Sequence, residues 1–146
     1  MFAGEHICKL DEKGRFILPQ PMREILENQG KRLVYLKGPE SCLWAYTHPE
    51  WTQILEKSRA GLDEEESRLF MHHIVSEMTM SDVDKGGRVL IPGKMRKHLN
   101  LDVDQEVVLI GLYQKLEVWS PPAWRHYLKV NEEKLESAQT RFMELL

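Results

Sequence analysis

The fold of this chain can be worked out from one stretch, Leu10-Asp11-Glu12-Lys13-Gly14-Arg15-Phe16-Ile17-Leu18-Pro19. It recurs as Val83-Asp84-Lys85-Gly86-Gly87-Arg88-Val89-Leu90-Ile91-Pro92. Both copies contain an apolar residue, Asp, two variable residues, Gly, Arg, three apolar residues and Pro. The copies lie 73 residues apart, which is half of the 146-residue chain. The chain is therefore a tandem duplication, with halves predicted at residues 1–73 and 74–146.

The duplication extends beyond the motif at the same offset and without a gap. The matching pairs include Met22 and Met95, Arg23 and Arg96, Leu26 and Leu99, Trp51 and Trp124, and Leu55 and Leu128. A register kept over such a distance is strong evidence of an internal repeat. A half of about 70 residues is marginal for a core of its own. We expect the halves to pack against each other or against another chain.

Each half predicts the same series of elements. A strand runs into the Asp-x-x-Gly-Arg turn, a second strand leaves it, and a short helix follows with the proline in its first turn. A hairpin and a further helix complete the half. In the first half these are strands His6–Leu10 and Phe16–Leu18, a helix carrying Met22 and Leu26, strands Leu33–Lys37 and Leu43–Tyr46, and helices capped at Thr47 and Asp63. In the second half they are strands Met78–Val83 and Val89–Ile91, a helix Pro92–Leu99, a hairpin Glu106–Trp119, a helix after Ser120, and an amphipathic helical stretch Trp124–Leu146.

The net charge of −3 is unevenly distributed. Four basic and two acidic residues lie between Lys9 and Arg23, and five basic and two acidic between Asp82 and His98. Between Glu56 and Glu77 there are three basic and six acidic residues. Positive charge therefore gathers around both copies of the motif, where it favours a polyanionic partner. No apolar run predicts a membrane span and no secretory signal is evident. We expect Cys8 and Cys42 to be buried free thiols in a reducing cytosol.

The spacing of the motif has a structural and a functional interpretation. Asp can accept hydrogen bonds from the next backbone N–H groups and so stabilise a turn, and Gly permits a positive φ. An Asp11–Arg15 ion pair that stabilises this turn is the structural interpretation, and spacing alone favours it. In the functional interpretation the arginine is presented to phosphates or to a guanine edge. The two are compatible, because an arginine held by Asp can be positioned in advance.

Other chemistry is weakly indicated. His72 and His73 are adjacent on a predicted helix and have no third ligand on the same face, so we expect no metal site. No nucleophile signature and no phosphate-binding glycine loop is present, so we expect neither an enzyme nor a cofactor. The tryptophans are expected in the core or at an interface, with Trp44 on an exposed face.

Four segments of the sequence together resemble the MraZ proteins. The likeness covers nearly the whole chain and is carried by four segments: Met1-Phe2-x-Gly4-Glu5, Leu10-Asp11-x-Lys13-Gly14-Arg15-x-x-x-Pro19-x-x-x-Arg23, Asp84-x-x-Gly87-Arg88-x-x-x-Pro92-x-x-x-Arg96, and Val107–Gly111 with Glu117–Pro121. The double glycine Gly86-Gly87 and the early Lys85 depart from the pattern, which predicts a looser or differently aimed second loop.

The resemblance implies an α+β fold with a mainly β core. Its two AbrB-like halves, of the swapped-hairpin or double-split β-barrel type, would carry their helices outside. It also implies a cytoplasmic, nucleoid-associated, ring-forming regulator that binds double-stranded DNA at the promoter of the division and cell-wall gene cluster. Its DNA-facing residues carry over to Asp11 and Arg15 and to Asp84 and Arg88. Charge and position add Lys13 and Lys85. Arg23 and Arg96 are predicted either to pack structurally or to touch DNA.

The second hypothesis is an oligomeric protein-interaction scaffold or antitoxin-like module. Its working surface would be the aromatic and amphipathic helices, and the motif would serve only as a stabilised turn. Neither hypothesis involves a membrane or a small-molecule substrate.

Overall fold

The computed structural model describes Met1–Leu146 and contains eight strands and six α-helices. The strands are β1 (Phe2–Lys9), β2 (Arg15–Ile17), β3 (Arg32–Lys37), β4 (Leu43–Thr47), β5 (Thr79–Asp82), β6 (Arg88–Leu90), β7 (Glu106–Tyr113) and β8 (Lys115–Trp119). The helices are α1 (Gln20–Glu27), α2 (His48–Gly61), α3 (Glu64–His73), α4 (Gly93–His98), α5 (Pro121–Val130) and α6 (Glu132–Leu145). A 3-10 turn, Val75–Glu77, follows α3. The predicted α+β character with a mainly antiparallel β core is confirmed. None of the helices has the length and apolar character required to cross a membrane.

Six strands form one antiparallel sheet in the order β1-β7-β8-β4-β3-β5. The hairpins of the two halves, β3-β4 and β7-β8, meet at the centre, where β4 pairs with β8. At each edge the first strand of one half pairs with the hairpin of the other half. β1 pairs with β7, and β5 pairs with β3, both antiparallel. The two halves therefore exchange their first strands.

The remaining strands, β2 and β6, form a separate two-stranded ribbon. The ribbon packs on the main hydrophobic core through Phe16 and Val89. The short helices α1 and α4 pack there as well, through Met22 and Leu26 and through their repeat equivalents. Residues of both halves make up this core, so the core side chains of each half are buried only when the other half is in place.

Most predicted local signals have the expected structure. The side chains and backbone N–H groups of Asp63 and Glu66 form a reciprocal capping box, with N···O distances of 2.8 and 3.2 Å. Thr47 caps α2 by accepting a hydrogen bond from the Glu50 N–H at 3.3 Å. The predicted hairpin between Leu33 and Tyr46 is confirmed as the pair β3 and β4.

Several details differ from prediction. Pro19 is the N-cap of α1, and it is Pro21 that occupies the first turn. The C-terminal helical stretch is divided at Asn131 into α5 and α6. Trp44 is half-buried, because its indole N–H donates to Glu117 at 2.9 Å and Lys115 lies over its ring.

The two cysteines are free thiols, as predicted, but only Cys42 is fully buried. Burial raises the pKa of Cys8 to about 11 and that of Cys42 to about 12. Both thiols therefore remain protonated at neutral pH, and neither has the thiolate character of a reactive cysteine.

Candidate nucleic-acid interface

The first loop, Asp11–Arg15, is held together by one carboxylate. Asp11 Oδ1 accepts hydrogen bonds from the backbone N–H groups of Lys13 and Arg15, both at 2.9 Å. Asp11 Oδ2 accepts one from Arg15 Nε, also at 2.9 Å. Gly14 closes the turn with φ +85°, a conformation that glycine adopts at little cost. The predicted ion pair is therefore present, together with two backbone bonds that define the loop.

The second loop, Asp84–Arg88, has the same hydrogen bonds at the same offsets. Asp84 Oδ1 accepts from the N–H groups of Gly86 and Arg88 at 2.9 and 2.8 Å. Its Oδ2 accepts from Arg88 Nε at 2.8 Å, and Gly87 has φ +79°. The expectation of a looser second loop is wrong, because the extra glycine, Gly86, occupies the position of Lys13 and supplies the same backbone N–H.

The carboxylates of both loops are stabilised in the ionised form. The backbone N–H of Arg15 is the main cause that lowers the pKa of Asp11, and the Lys13 N–H and the Arg15 guanidinium add to it. The Arg88 backbone N–H and guanidinium lower the pKa of Asp84 in the same way. A lowered folded-state pKa means that this stabilisation is complete above the ordinary aspartate value and is lost only as the pH falls below it. At neutral pH both carboxylates are therefore ionised and contribute this stabilisation in full.

Each loop arginine uses only its Nε in binding the carboxylate. No other side-chain hydrogen bond joins the Arg15 or Arg88 guanidinium to the protein. The terminal Nη1 and Nη2 groups are therefore available to a ligand. Arginine presents these donors as a planar fork that matches a phosphate or the O6 and N7 atoms of guanine.

The β2–β6 ribbon brings the two loops together. Its register pairs Arg15 with Leu90, Phe16 with Val89, and Ile17 with Arg88. Phe16 and Val89 are buried, so their neighbours along each strand face outward. We call the outward set, Arg15, Ile17, Arg88 and Leu90, the ribbon face. Its two arginines are diagonal neighbours, a relation that places residues roughly 7–8 Å apart, within reach of long side chains.

Sequence reasoning missed Ile17 and Leu90 as part of this surface. Ile17 is 64% exposed and Leu90 37% exposed, although both are large and apolar. Their signal was the strand period of two, which places the middle residue of each apolar triplet on the face opposite its neighbours. Which face is outward depends on the pairing of β2 with β6 across the two halves.

The other predicted residues are distributed around the loops. Lys13 and Lys85 are exposed, each within its loop, but they are not at equivalent positions. Arg23 and Arg96 contact protein groups: Arg23 Nη2 donates to the Lys85 carbonyl at 3.0 Å, and Arg96 Nη1 donates to the Ile91 carbonyl. Both arginines therefore make contacts of the kind that the structural alternative predicts. The acidic helix α3 packs through Phe70 on a separate, smaller hydrophobic cluster.

Fold and surface together define a class: a tandem-repeat α+β protein that presents two Asp-held arginine loops side by side on an exposed β-ribbon. The family model described as "MraZ protein, putative antitoxin-like" matches residues 1–72 and again residues 74–145. The chain belongs to this family, and the resemblance noted in its sequence is confirmed.

Similar full-length proteins occur in several bacteria. A protein of Desulfitobacterium hafniense named transcriptional regulator MraZ is 36% identical over 146 residues, covering 99% of each chain. Another of that name, from Moorella thermoacetica, is 32% identical over 145 residues, covering 99% of this chain and 98% of its own. A third, from Pelotomaculum thermopropionicum, is 37% identical over 128 residues, covering 87% and 85%.

Proposed function

We propose that this protein is a transcriptional regulator that binds double-stranded DNA through its ribbon face. The observation that carries the proposal is a pair of arginines on one outward face, the half-buried Arg15 and the exposed Arg88, each bound through Nε by an aspartate and each with its terminal nitrogens unpartnered. A two-stranded β-ribbon fits the major groove of B-DNA, where base edges differ in their donors and acceptors. The names of the similar proteins support the regulatory role.

The ribbon face offers two kinds of contact to a base pair. Arg15 and Arg88 can each donate two hydrogen bonds to a guanine. Ile17 and Leu90 can contact thymine methyl groups between them. Lys13 and Lys85, on the flanking loops, are suited to phosphates. Because Asp11 and Asp84 hold the guanidinium groups in place beforehand, less side-chain entropy is lost on binding.

A single chain presents few cations and carries a net negative charge. We propose that ring-like self-assembly arrays the loops, so that repeated short boxes in the promoter of the division and cell-wall gene cluster are bound together by avidity. An AbrB-like arrangement of the halves 1–73 and 74–146 belongs to this proposal. It is supported by the exchange of β1 and β5 between the halves. We place such a regulator in the cytoplasm, at the nucleoid.

The test is a mobility-shift titration on the protein's own upstream region with Arg15→Ala and Arg88→Ala. Each bidentate contact contributes about 1–3 kcal/mol of discrimination, or roughly 5- to 150-fold in affinity. We expect a loss of at least this size for Arg15→Ala, and a similar or smaller loss for Arg88→Ala.

Arg32→Ala is the matched control. Arg32 Nε also binds an aspartate, Asp82, at 2.8 Å, but the pair lies between β3 and β5 and not on the ribbon face. The control removes the same charge and the same type of ion pair, and it should bind DNA like the wild type. If both loop variants also bind like the wild type, the motif is only structural and the proposal fails.

The second candidate function, a protein-interaction scaffold or antitoxin-like module, is favoured by one observation. The last helix, α6, carries exposed apolar residues at helical spacing, namely Leu135, Phe142 and Leu145. Such a stripe fits a partner helix. The two functions are separated by whether DNA binding persists without this helix.

A further inference from the structure

We propose that Arg23 and Arg96 are positioning residues that brace the DNA-binding loops crosswise, each holding the loop of the other half. The inference rests on the proposed function, because it assigns these arginines a role in DNA affinity through Arg15 and Arg88. Arg96, on α4, would orient the first loop, and Arg23, on α1, would orient the second.

The first observation is the close approach of each arginine to the glycine of the opposite loop. A Cβ placed on Gly14 would overlap Arg96 Nη1 and lie 2.7 Å from its Cζ. A Cβ placed on Gly87 would lie 2.8 Å from Arg23 Nη1 and 3.0 Å from its Cζ. The guanidinium of each helix therefore occupies the space that any other residue at the loop glycine would need for its side chain. Both contacts cross between the halves.

The second observation is a set of four hydrogen bonds, three of which cross between the halves. The Ile91 N–H donates to the Gly14 carbonyl at 2.9 Å, and the Leu18 N–H donates to the Gly87 carbonyl at 2.9 Å. Arg96 Nη1 donates to the carbonyl of Ile91, the residue that holds Gly14. Arg23 Nη2 donates to the Lys85 carbonyl within the second loop. The second loop is thus hydrogen-bonded by both the backbone and an arginine of the other half, whereas the first is hydrogen-bonded by the backbone of the other half and contacted at Gly14 by Arg96.

These contacts place the two arginines on the protein side of the loops. Gly14 and Gly87 are buried, and the arginines lie against them. Arg23 Nε also lies 3.5 Å from Glu27 Oε1. In the second half the position equivalent to Glu27 is the uncharged Asn100. Arg96 therefore has no acidic partner on its own helix.

Crossed double-mutant cycles test the proposal, with affinity for the protein's own upstream region as the readout. Arg96→Met should weaken binding on its own. When Arg15→Ala is already present, however, it should cause little further loss, because the loop it braces no longer carries its arginine. When Arg96→Met is combined with Arg88→Ala, the fold-losses in affinity of the two single variants should multiply. Arg23→Met should show the reverse pattern: little further loss beside Arg88→Ala, and multiplied losses beside Arg15→Ala.

The salt dependence separates a positioning role from direct binding to a phosphate. Removal of a side chain that neutralises one phosphate reduces the slope of log affinity against log salt by about 0.9. We expect Arg96→Met and Arg23→Met to leave the slope unchanged while lowering affinity. Thermal unfolding checks that each variant folds. If a Met variant does not fold, Arg96→Lys and Arg23→Lys replace it, since lysine keeps the charge but lacks the planar fork.

The outcomes distinguish the two proposals. The bracing role is overturned if Arg96 couples to Arg88 and Arg23 to Arg15, or if no pair is coupled. It is also overturned if the Met variants reduce the slope of log affinity against log salt by about one. If Arg15→Ala and Arg88→Ala already bind like the wild type, the proposed function fails and the bracing role fails with it. If Arg15→Ala and Arg88→Ala lose DNA binding, and Arg96 couples to Arg15 and Arg23 to Arg88, both the proposed function and the bracing role are supported.

Discussion

At the scale of single residues, each loop depends on one aspartate that accepts three hydrogen bonds. Asp11 and Asp84 each bind two backbone N–H groups and one Nε. The same carboxylate thus shapes the loop and aims its arginine. Because two of the three guanidinium nitrogens, Nη1 and Nη2, remain unpartnered, the ion pair does not use up the arginine's capacity to bind a ligand.

The loop glycines are expected to tolerate no side chain. Gly87→Ala would combine a left-handed backbone, which costs an L-residue roughly 1–2 kcal/mol, with contact against Arg23. We expect it to lower the free energy of unfolding by more than that amount and to weaken DNA binding. Denaturant unfolding and mobility-shift titration measure the two effects.

Two other glycines provide controls for Gly87→Ala. Gly86 has no positive φ, and a Cβ there would meet nothing nearer than 3.4 Å, so Gly86→Ala should be nearly neutral. Gly30 has φ +91° but open space around it, so Gly30→Ala should show the backbone strain alone. Equal stability of the Gly86 and Gly87 variants would contradict the described packing.

Ile17 is expected to contribute to DNA affinity and not to stability. Its side chain is 64% exposed, so Ile17→Ser should leave the unfolding midpoint nearly unchanged. The variant should weaken binding to the native box severalfold, because serine does not reach the thymine methyl group. Binding titrations on the native box, and on a box with uracil in place of thymine, measure this effect.

The matched control is Ile7→Ser, because Ile7 is 65% exposed but lies on β1, away from the ribbon. It should bind both boxes as the wild type does. If the two variants behave alike on DNA, the apolar part of the ribbon face has no role in recognition.

At the scale of elements, α6 differs from the rest of the chain. None of its residues is buried or belongs to a hydrophobic cluster, whereas every other helix packs on such a cluster, including α3 and α5, which have no fully buried residue either. The Asn131 side chain donates to the Tyr127 carbonyl at 2.8 Å at the end of α5, where the two helices separate. Such a helix adds little to the fold of the single chain, and its apolar stripe is available to another molecule.

Truncation after Asn131 is expected to leave the fold intact and to impair self-assembly. The unfolding midpoint should move by no more than a few degrees, because little buried area is removed. Light scattering should show smaller particles. Binding to one DNA box should survive, and binding to tandem boxes should lose its avidity.

A double variant, Leu135→Ser with Phe142→Ser, is the control that keeps the helix but interrupts the stripe. It should reproduce the effect of the truncation on particle size. Complete loss of DNA binding in both, even to a single box, would favour the scaffold function over the proposed one.

At the scale of the whole molecule, the two halves cannot be separated without breaking the core. β1 pairs with β7, β5 pairs with β3, and the ribbon takes one strand from each half. Both loops are consequently fixed to one body in a constant relative orientation. Under the proposed function, this geometry brings two arginines from distant parts of the chain to one stretch of DNA.

The whole assembly is expected to bind DNA with a marked salt dependence. Each phosphate neutralised contributes about 0.9 to the slope of log affinity against log salt. Lys13→Gln should reduce the slope, whereas Lys57→Gln, an exposed lysine on α2, should not. Titrations across a range of salt concentrations measure both, and a flat response in the wild type would argue against DNA as the partner.

The sequence by itself determined the features whose partners lie close along the chain. The Asp-x-x-Gly-Arg loops, the Asp63 capping box and the buried faces of α1 and α4 all follow from hydrogen bonds or side-chain spacing within a few residues. The offset of 73 residues also revealed the duplication directly. These were predictable because local chemistry specifies them whatever the rest of the chain does.

Only the tertiary structure decided how the two halves combine. The exchange of β1 and β5, the outward position of Ile17 and Leu90, and the contacts of Arg23 with Gly87 and of Arg96 with Gly14 join residues far apart in the chain. Two equivalent halves can pack side by side or crosswise with the same local elements. The choice between them depends on burying one shared core, and spacing along the sequence does not encode that choice.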